Sequence, residues 1–159
     1  MKKNRHINKV AVIGSGIMGS RIACHFANIG VEVLLLDIVP FDLTEEQLKD
    51  NSIRNSIVND ALKSTLKSKP SPIYSKEFAS RITTGNLEDD LHKISEVDWI
   101  IEVVVERLDI KKQVFEKIEK FRKEGTLISS NTSGIPIESM INGRSEDFQK
   151  YFCGTHFFN

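Results

Sequence analysis

The chain has 159 residues, 40% of them hydrophobic and 28% charged, with 22 Lys+Arg against 22 Asp+Glu. That describes one globular domain with enough apolar material for a sizeable core, and the even charge balance gives no sign of a nucleic-acid or membrane-surface partner. No apolar run approaches membrane-spanning length, and the run after the basic start ends too soon for a secretory signal, so the cytoplasm is the expected location.

In chain order, residues 7–13 read as a first strand that flows into Gly14-Ser15-Gly16-Ile17-Met18-Gly19. Residues 17–28 follow with a helical pattern that puts Ile22, Phe26 and Ile29 on one face. Gly30 stops that helix, and residues 31–37 form a second buried-strand pattern ending on Asp37. Three glycines at this spacing are weak evidence alone. Between two strands and at the start of a helix they form a dinucleotide-binding fingerprint.

Each part has a physical role. Gly14 permits the tight turn, Gly16 lets the backbone approach a pyrophosphate, and Gly19 allows close helix–strand packing, while the helix N-terminus at Ile17 and Met18 faces the phosphates. Asp37 accepts hydrogen bonds from ribose hydroxyls and repels a 2′-phosphate. No Arg follows it at once, so NAD is expected in preference to NADP.

The stretch at about 42–72 interrupts the simple alternation. Asp42 or Thr44 is expected to cap a long helix with Leu48, Ile53, Ile57, Leu62 and Leu66 as an imperfect stripe, read as a protrusion that ends in a turn at Pro70 and Pro72. Lys63, Lys67 and Lys69 gather at its end, either as solvated lysines or as a meeting point for a phosphorylated ligand. Further strands are expected at residues 81–84, 97–105, 126–130 and 151–156. The alternation of strands and helices predicts an α/β, Rossmann-type, doubly wound and mostly parallel sheet over a single domain, 1–159.

Ligands in such sheets lie across the carboxyl ends of the strands. Three clusters fall there: Glu106-Arg107 with Lys111 one helical turn on, the run 129–134 (SSNTSG), and His156-Phe157-Phe158-Asn159. Glu106 suits a ribose hydroxyl or a salt bridge to Lys111. Glu102, a carboxylate inside an apolar strand, must find partners or stay protonated, and its role is left open. Asn131, Thr132 and Ser133 suit a side-chain-stabilised turn or a ligand contact. His156 suits a core position or a general base, since imidazole titrates near neutrality. Cys24 is read as a small core residue. With Cys153 it is too little for a disulfide framework or zinc site, and no metal is expected.

These motifs resemble the N-terminal domain of the L-3-hydroxyacyl-CoA dehydrogenase family: residues 10–19 (VAVIGSGIMG), Asp37, 99–106 (WIIEVVVE), 130–133 (SNTS) and 154–159 (GTHFFN). Residues 81–86 and 144–148 and the 42–72 insertion look similar to bacterial proteins that fuse a hydratase module to the dehydrogenase. The resemblance implies that Gly14, Gly16, Ile17, Met18 and Gly19 cradle the NAD pyrophosphate and Asp37 the adenosine ribose. It also implies that Glu106, Lys111, Ser133 and Asn159 contact the nicotinamide half. By the same resemblance Ser133 bonds the substrate's 3-oxygen, His156 is the general base, and the helical insertion, with Lys67 or Lys69, meets CoA.

The family carries a Glu about twelve residues beyond that His, and then a helical domain that completes the acyl pocket and the dimer; by the logic of catalytic triads the carboxylate orients the imidazole. This chain ends at Asn159, before either. The expectation is therefore a monomeric fragment of a homo-oligomeric parent that binds NAD and turns over an acyl-CoA substrate poorly or not at all. Two other readings stay open: another NAD-dependent hydroxyacid dehydrogenase, and a non-catalytic NAD-binding regulatory module.

Overall fold

The computed structural model describes residues 5–158. Its strands β1 (Lys9–Ile13), β2 (Glu32–Asp37), β3 (Ile82–Asn86), β4 (Trp99–Glu102), β5 (Leu127–Ser130) and β6 (Phe152–Gly154) form one sheet in the order β3-β2-β1-β4-β5-β6. Every pairing is parallel, so the expectation of a mostly parallel sheet is met in full. The helices are α1 (Ile17–Asn28), α2 (Asn51–Arg54), α3 (Ser56–Lys67), α4 (Leu108–Phe121), α5 (Ile137–Ile141) and α6 (Glu146–Lys150).

Successive strand residues point to opposite faces, which is why a sheet covered on both sides needs continuous apolar runs. In β1, Val10 and Val12 face a core made with α1, α3 and Ile82. Ala11 and Ile13 face a second core containing Val114, Phe115 and Ile118 of α4 together with Phe148. Phe115 and Ile118 are wholly buried, and each such side chain contributes about 1.5–3 kcal/mol relative to exposure.

α1 has the boundaries read from the sequence. Ile22 and Phe26 are buried as expected, but Ile29 is 61% exposed, because the helix ends at Asn28 and Ile29 no longer follows its stripe. The run 97–105 is strand only over Trp99–Glu102. There the Glu102 carboxylate accepts the Val104 N–H at 2.7 Å, and the chain turns away from the sheet.

The helical insertion follows β2, though as three pieces rather than one long helix. Thr44 and Gln47 bond each other's backbone N–H groups reciprocally, which caps only the 3-10 turn Gln47–Lys49. Asp50 then caps α2 through the Ser52 N–H, and α3 starts afresh at Ser56. Leu48 is exposed, and Val58, outside the expected stripe, is the buried residue of α3. The insertion does more than protrude: α3 packs beside α1 over β2 and β3 and is the crossover between those strands.

Candidate functional site

The sheet register sets the site. Ile13, Glu102, Ser130 and Gly154 are neighbours on β1, β4, β5 and β6, so the segments that follow them leave the same edge together. Those segments are the glycine turn, the Glu106 loop, the Asn131–Gly134 turn and His156.

Gly14 has φ +104° and donates its N–H to the Leu36 carbonyl at 2.8 Å; a Cβ there would meet the Val103 carbonyl oxygen at 2.7 Å. Gly16 differs. A Cβ built on it meets nothing within 4 Å, so the missing side chain leaves clear space in front of the α1 N-terminus. No side chain caps that terminus, and Ile17 at its first position is exposed, with Met18 half-buried behind it. Unsatisfied N–H groups facing open space suit an anionic pyrophosphate. Gly19 serves packing: its Cβ would lie 1.8 Å from the Gly14 carbonyl oxygen.

Asp37 closes the loop from β2. Its Oδ2 accepts both the Ser15 N–H at 2.6 Å and the Ser15 hydroxyl at 2.5 Å, and its Oδ1 accepts the Ile38 N–H at 2.7 Å. Asn86, the register neighbour of Asp37, bonds Asp89, and Asp89 with Glu88 holds the Arg54 guanidinium at 2.7–2.9 Å. Arg54, linked to this corner through Asp89 and Asn86, is thus already paired with carboxylates, which fits an unphosphorylated ribose. The glycine cradle and this carboxylate together fit NAD.

At the other half of the edge, Ser133 Oγ lies 3.3 Å from His156 Nε2. Both residues are exposed and line an open groove of about 400 Å³ with Thr132, Gly134, Ile137 and Thr155. Two hydrogen bonds hold their segments together: Thr155 N–H donates to the Ser130 carbonyl, and Phe157 N–H to the Asn131 side-chain Oδ1. Phe157 packs its ring against His25 and Phe26 of α1. His156 is therefore a groove residue, not a core one.

Glu106 anchors the turn. Its Oε1 accepts the Thr132 hydroxyl at 2.6 Å and the N–H groups of Ser133 and Gly134 at 2.9 and 3.0 Å. Partial burial pushes this carboxyl up, but those bonds and Lys111 outweigh it and hold the group down at about 2.

Lys111 stands behind Glu106, and its side chain is completely buried. Nζ donates to Glu102 Oε1 and Oε2 at 2.8 and 2.9 Å, contacts Ser130 Oγ at 3.4 Å and pairs with Glu106 Oε2 at 3.3 Å. Its face of α4 is otherwise apolar, with Val114, Phe115 and Ile118 buried beside it, so the lysine reaches inward to the one buried carboxylate of β4. Glu102, whose role the sequence left open, is its partner. A signal was present: a lysine on an apolar helical stripe and a glutamate in an apolar strand, each needing an opposite charge.

Lys67 and Lys69 lie away from the residues described so far, lining other grooves. Asn55 and Asn59 at the start of α3 bond Asn86 and Thr84, whereas Lys67 lies beside Ile82, the first residue of β3. As a crossover helix, α3 runs antiparallel to the strands and carries its last turn to their amino ends. Lys69 borders a second groove there with Ile73 and Tyr74. Asn159 lies outside the described residues. Burial pushes the Cys24 thiol up to about 11, in keeping with a core role. Among the described residues no helix is long and apolar enough to cross a membrane.

Known proteins resemble this chain in sequence and fold. Residues 9–159 match the family model "3-hydroxyacyl-CoA dehydrogenase, NAD binding domain". A probable 3-hydroxyacyl-CoA dehydrogenase of Bacillus subtilis is 55% identical over 98% of this chain and 20% of its own length. A putative fatty acid oxidation complex trifunctional enzyme of Rickettsia felis is 42% identical, over 96% of this chain and 20% of its own length. The crystal structure of (S)-3-hydroxybutyryl-CoA dehydrogenase from Ralstonia eutropha superposes with a TM-score of 0.69 at 25% identity, over 97% of this chain and 50% of that one. The chain thus spans a fifth of those two curated relatives and half of that solved structure. With a cradle that fits the cofactor and a family match over nearly its whole length, the chain belongs to the NAD-binding-domain family of the 3-hydroxyacyl-CoA dehydrogenases.

Proposed function

We propose that this domain holds NAD across the β1–β4 edge and presents Ser133 and His156 to the hydroxyl of an L-3-hydroxyacyl-CoA, within a protein that oxidises it to the 3-oxoacyl-CoA in fatty-acid β-oxidation. The observation that carries the reading is the 3.3 Å approach of Ser133 Oγ to His156 Nε2, on the same sheet edge as the glycine cradle.

Gly14, Gly16, Gly19 and the α1 N-terminus would hold the pyrophosphate, and Asp37 the adenosine ribose. Bound NAD supplies the hydride acceptor. Ser133 donates its hydroxyl proton to the substrate's 3-oxygen and fixes that oxygen beside His156. His156 Nε2 takes the hydroxyl proton as the C3–H bond breaks and the carbonyl double bond forms, and then passes the proton to water. The open groove leaves the acyl chain largely uncovered by this domain, so the rest of the acyl pocket is assigned to other parts of the whole protein.

The test is reduction of acetoacetyl-CoA by NADH with the whole protein, monitored at the nicotinamide absorbance. His156→Ala is expected to lower kcat by about 100-fold to 10,000-fold, the usual contribution of a general base. Full activity in that variant, or reduction of free 3-oxoacids with no reaction of CoA esters, would overturn the reading.

A further inference from the structure

We propose that Glu102 and Lys111 are positioning residues for Ser133, acting through Glu106. The inference rests on the reading above only in the use it gives to the Ser133 hydroxyl.

Glu102 and Lys111 are both wholly excluded from solvent, on facing elements, and joined through both carboxylate oxygens. Ser130 completes the buried group by donating its hydroxyl to Glu102 Oε2. Joining β4 to α4 does not require charge. A well-packed apolar pair does this at least as stably, because a buried ion pair loses in desolvation much of what it gains in attraction.

What an apolar pair does not supply is a fixed positive charge behind Glu106. The Lys111 ammonium has three protons, and the Glu102 carboxylate engages it through both of its oxygens. The side of the ammonium left over faces Ser130 Oγ and Glu106 Oε2. Glu102 thereby aims the lysine, and the lysine aims Glu106. With Oε2 held from behind, Oε1 points at Thr132, Ser133 and Gly134 and collects all three of their donors. That grip turns the loop so that Ser133 Oγ faces His156.

No other cation shares the task among the described residues. Arg107, next in sequence to Glu106, is turned to Asp109 at 2.6 Å, and His156 lies beyond Ser133. Glu106 itself is partly exposed, so without Lys111 its carboxylate is free to rotate into water.

The test follows the Glu106 carboxyl by carbon NMR and the Ser133 and Gly134 amides by hydrogen exchange, on the 159-residue chain. Lys111→Met alone strands a buried carboxylate and is expected to unfold. The informative variant is Glu102→Gln with Lys111→Met, which removes both charges and keeps an acceptor for Val104. It is expected to stay folded, to titrate Glu106 closer to an ordinary glutamate, and to exchange both amides at least tenfold faster. Lys111→Arg, with Glu102 intact, is expected to restore protection. Wild-type titration and exchange in the folded double variant would overturn the proposal.

Should the double variant not fold, Glu106→Gln, at an exposed position, serves as the second arm: faster exchange of the two amides supports the proposal, and unchanged exchange rejects it. None of these readouts needs substrate or cofactor. Their failure leaves hydride transfer untouched, and an inactive-site result for His156 leaves them untouched.

Discussion

The Cα of Gly19 stands so near the Gly14 carbonyl that a Cβ built on it would lie 1.8 Å from that oxygen. The first helical turn of α1 is thus pressed onto the end of β1 with no room for a methyl group. Backbone, not a flexible side chain, is what it would strike. Gly19→Ala is expected to destabilise the domain by about 3 kcal/mol or more, the upper end for overpacking, with NADH binding lost alongside. Urea unfolding read by far-UV circular dichroism checks it; a variant as stable as wild type would contradict the packing described.

Asp37 holds Ser15 by two hydrogen bonds through one oxygen, so it shapes the glycine loop as well as facing the ribose. Asp37→Ala removes both functions. NADH affinity is expected to fall about tenfold or more, equivalent to about 1.4 kcal/mol, while NADPH affinity falls less because a repelling charge has gone. Fluorescence titrations with the two nucleotides measure the ratio directly.

The Glu106 carboxyl, held at about 2 in the folded chain, makes the Ser133 loop acid-sensitive in a defined direction. A depressed folded value means the stabilisation is fully present above the ordinary glutamate range, about 4.3, and is lost as pH falls through about 2. Ser133 and Gly134 amide shifts followed from pH 6 downward are expected to move with a midpoint well below 4. In Glu106→Gln that transition disappears, since nothing there titrates.

Phe148 of α6 is wholly buried, stacked on Phe152 at 5.7 Å and edge-on to Phe115 at 5.8 Å. It ties the last helix to β6, the strand that delivers His156. Phe148→Ala is expected to cost about 3–5 kcal/mol by leaving a cavity in that cluster. Denaturant midpoints test the loss, and a cost under about 1 kcal/mol would show that the site's edge does not depend on this cluster.

Sequence reading went furthest where one local pattern carries one requirement. The α1 boundaries follow from a glycine before and a glycine after an apolar stripe, and β1, β2 and β4 from apolar runs bounded by turn residues. It went astray at Ile29, Leu48 and the end of β4. Ile29 and residues 103–105 are apolar residues beyond the last residue of their element, and Leu48 lies on a short 3-10 turn separate from α2 and α3.

The site divides in the same way. Gly14, Gly16, Gly19 and Asp37 are legible in order along the chain because a βαβ unit is contiguous. Glu106, Ser133 and His156 were legible as candidates at strand ends, but their mutual contacts were not, since the residues lie on separate loops. The burial of Lys111 against Glu102, and the end of the sheet to which α3 carries Lys67, were not legible, because a one-dimensional reading has no way to tell which way a lysine points or to which end of a sheet a crossover helix carries it.

By itself, then, the sequence determined a parallel α/β domain, its NAD-binding turn and the residues able to do chemistry, all of which depend on local periodicity and residue type. Only the tertiary structure decided that Lys111 is buried against Glu102, that Glu106 grips the Ser133 loop, and that Ser133 meets His156. Those facts depend on sheet register, which brings the ends of β1, β4, β5 and β6 to one edge. Such pairings link residues far apart in the chain, and no local pattern encodes them.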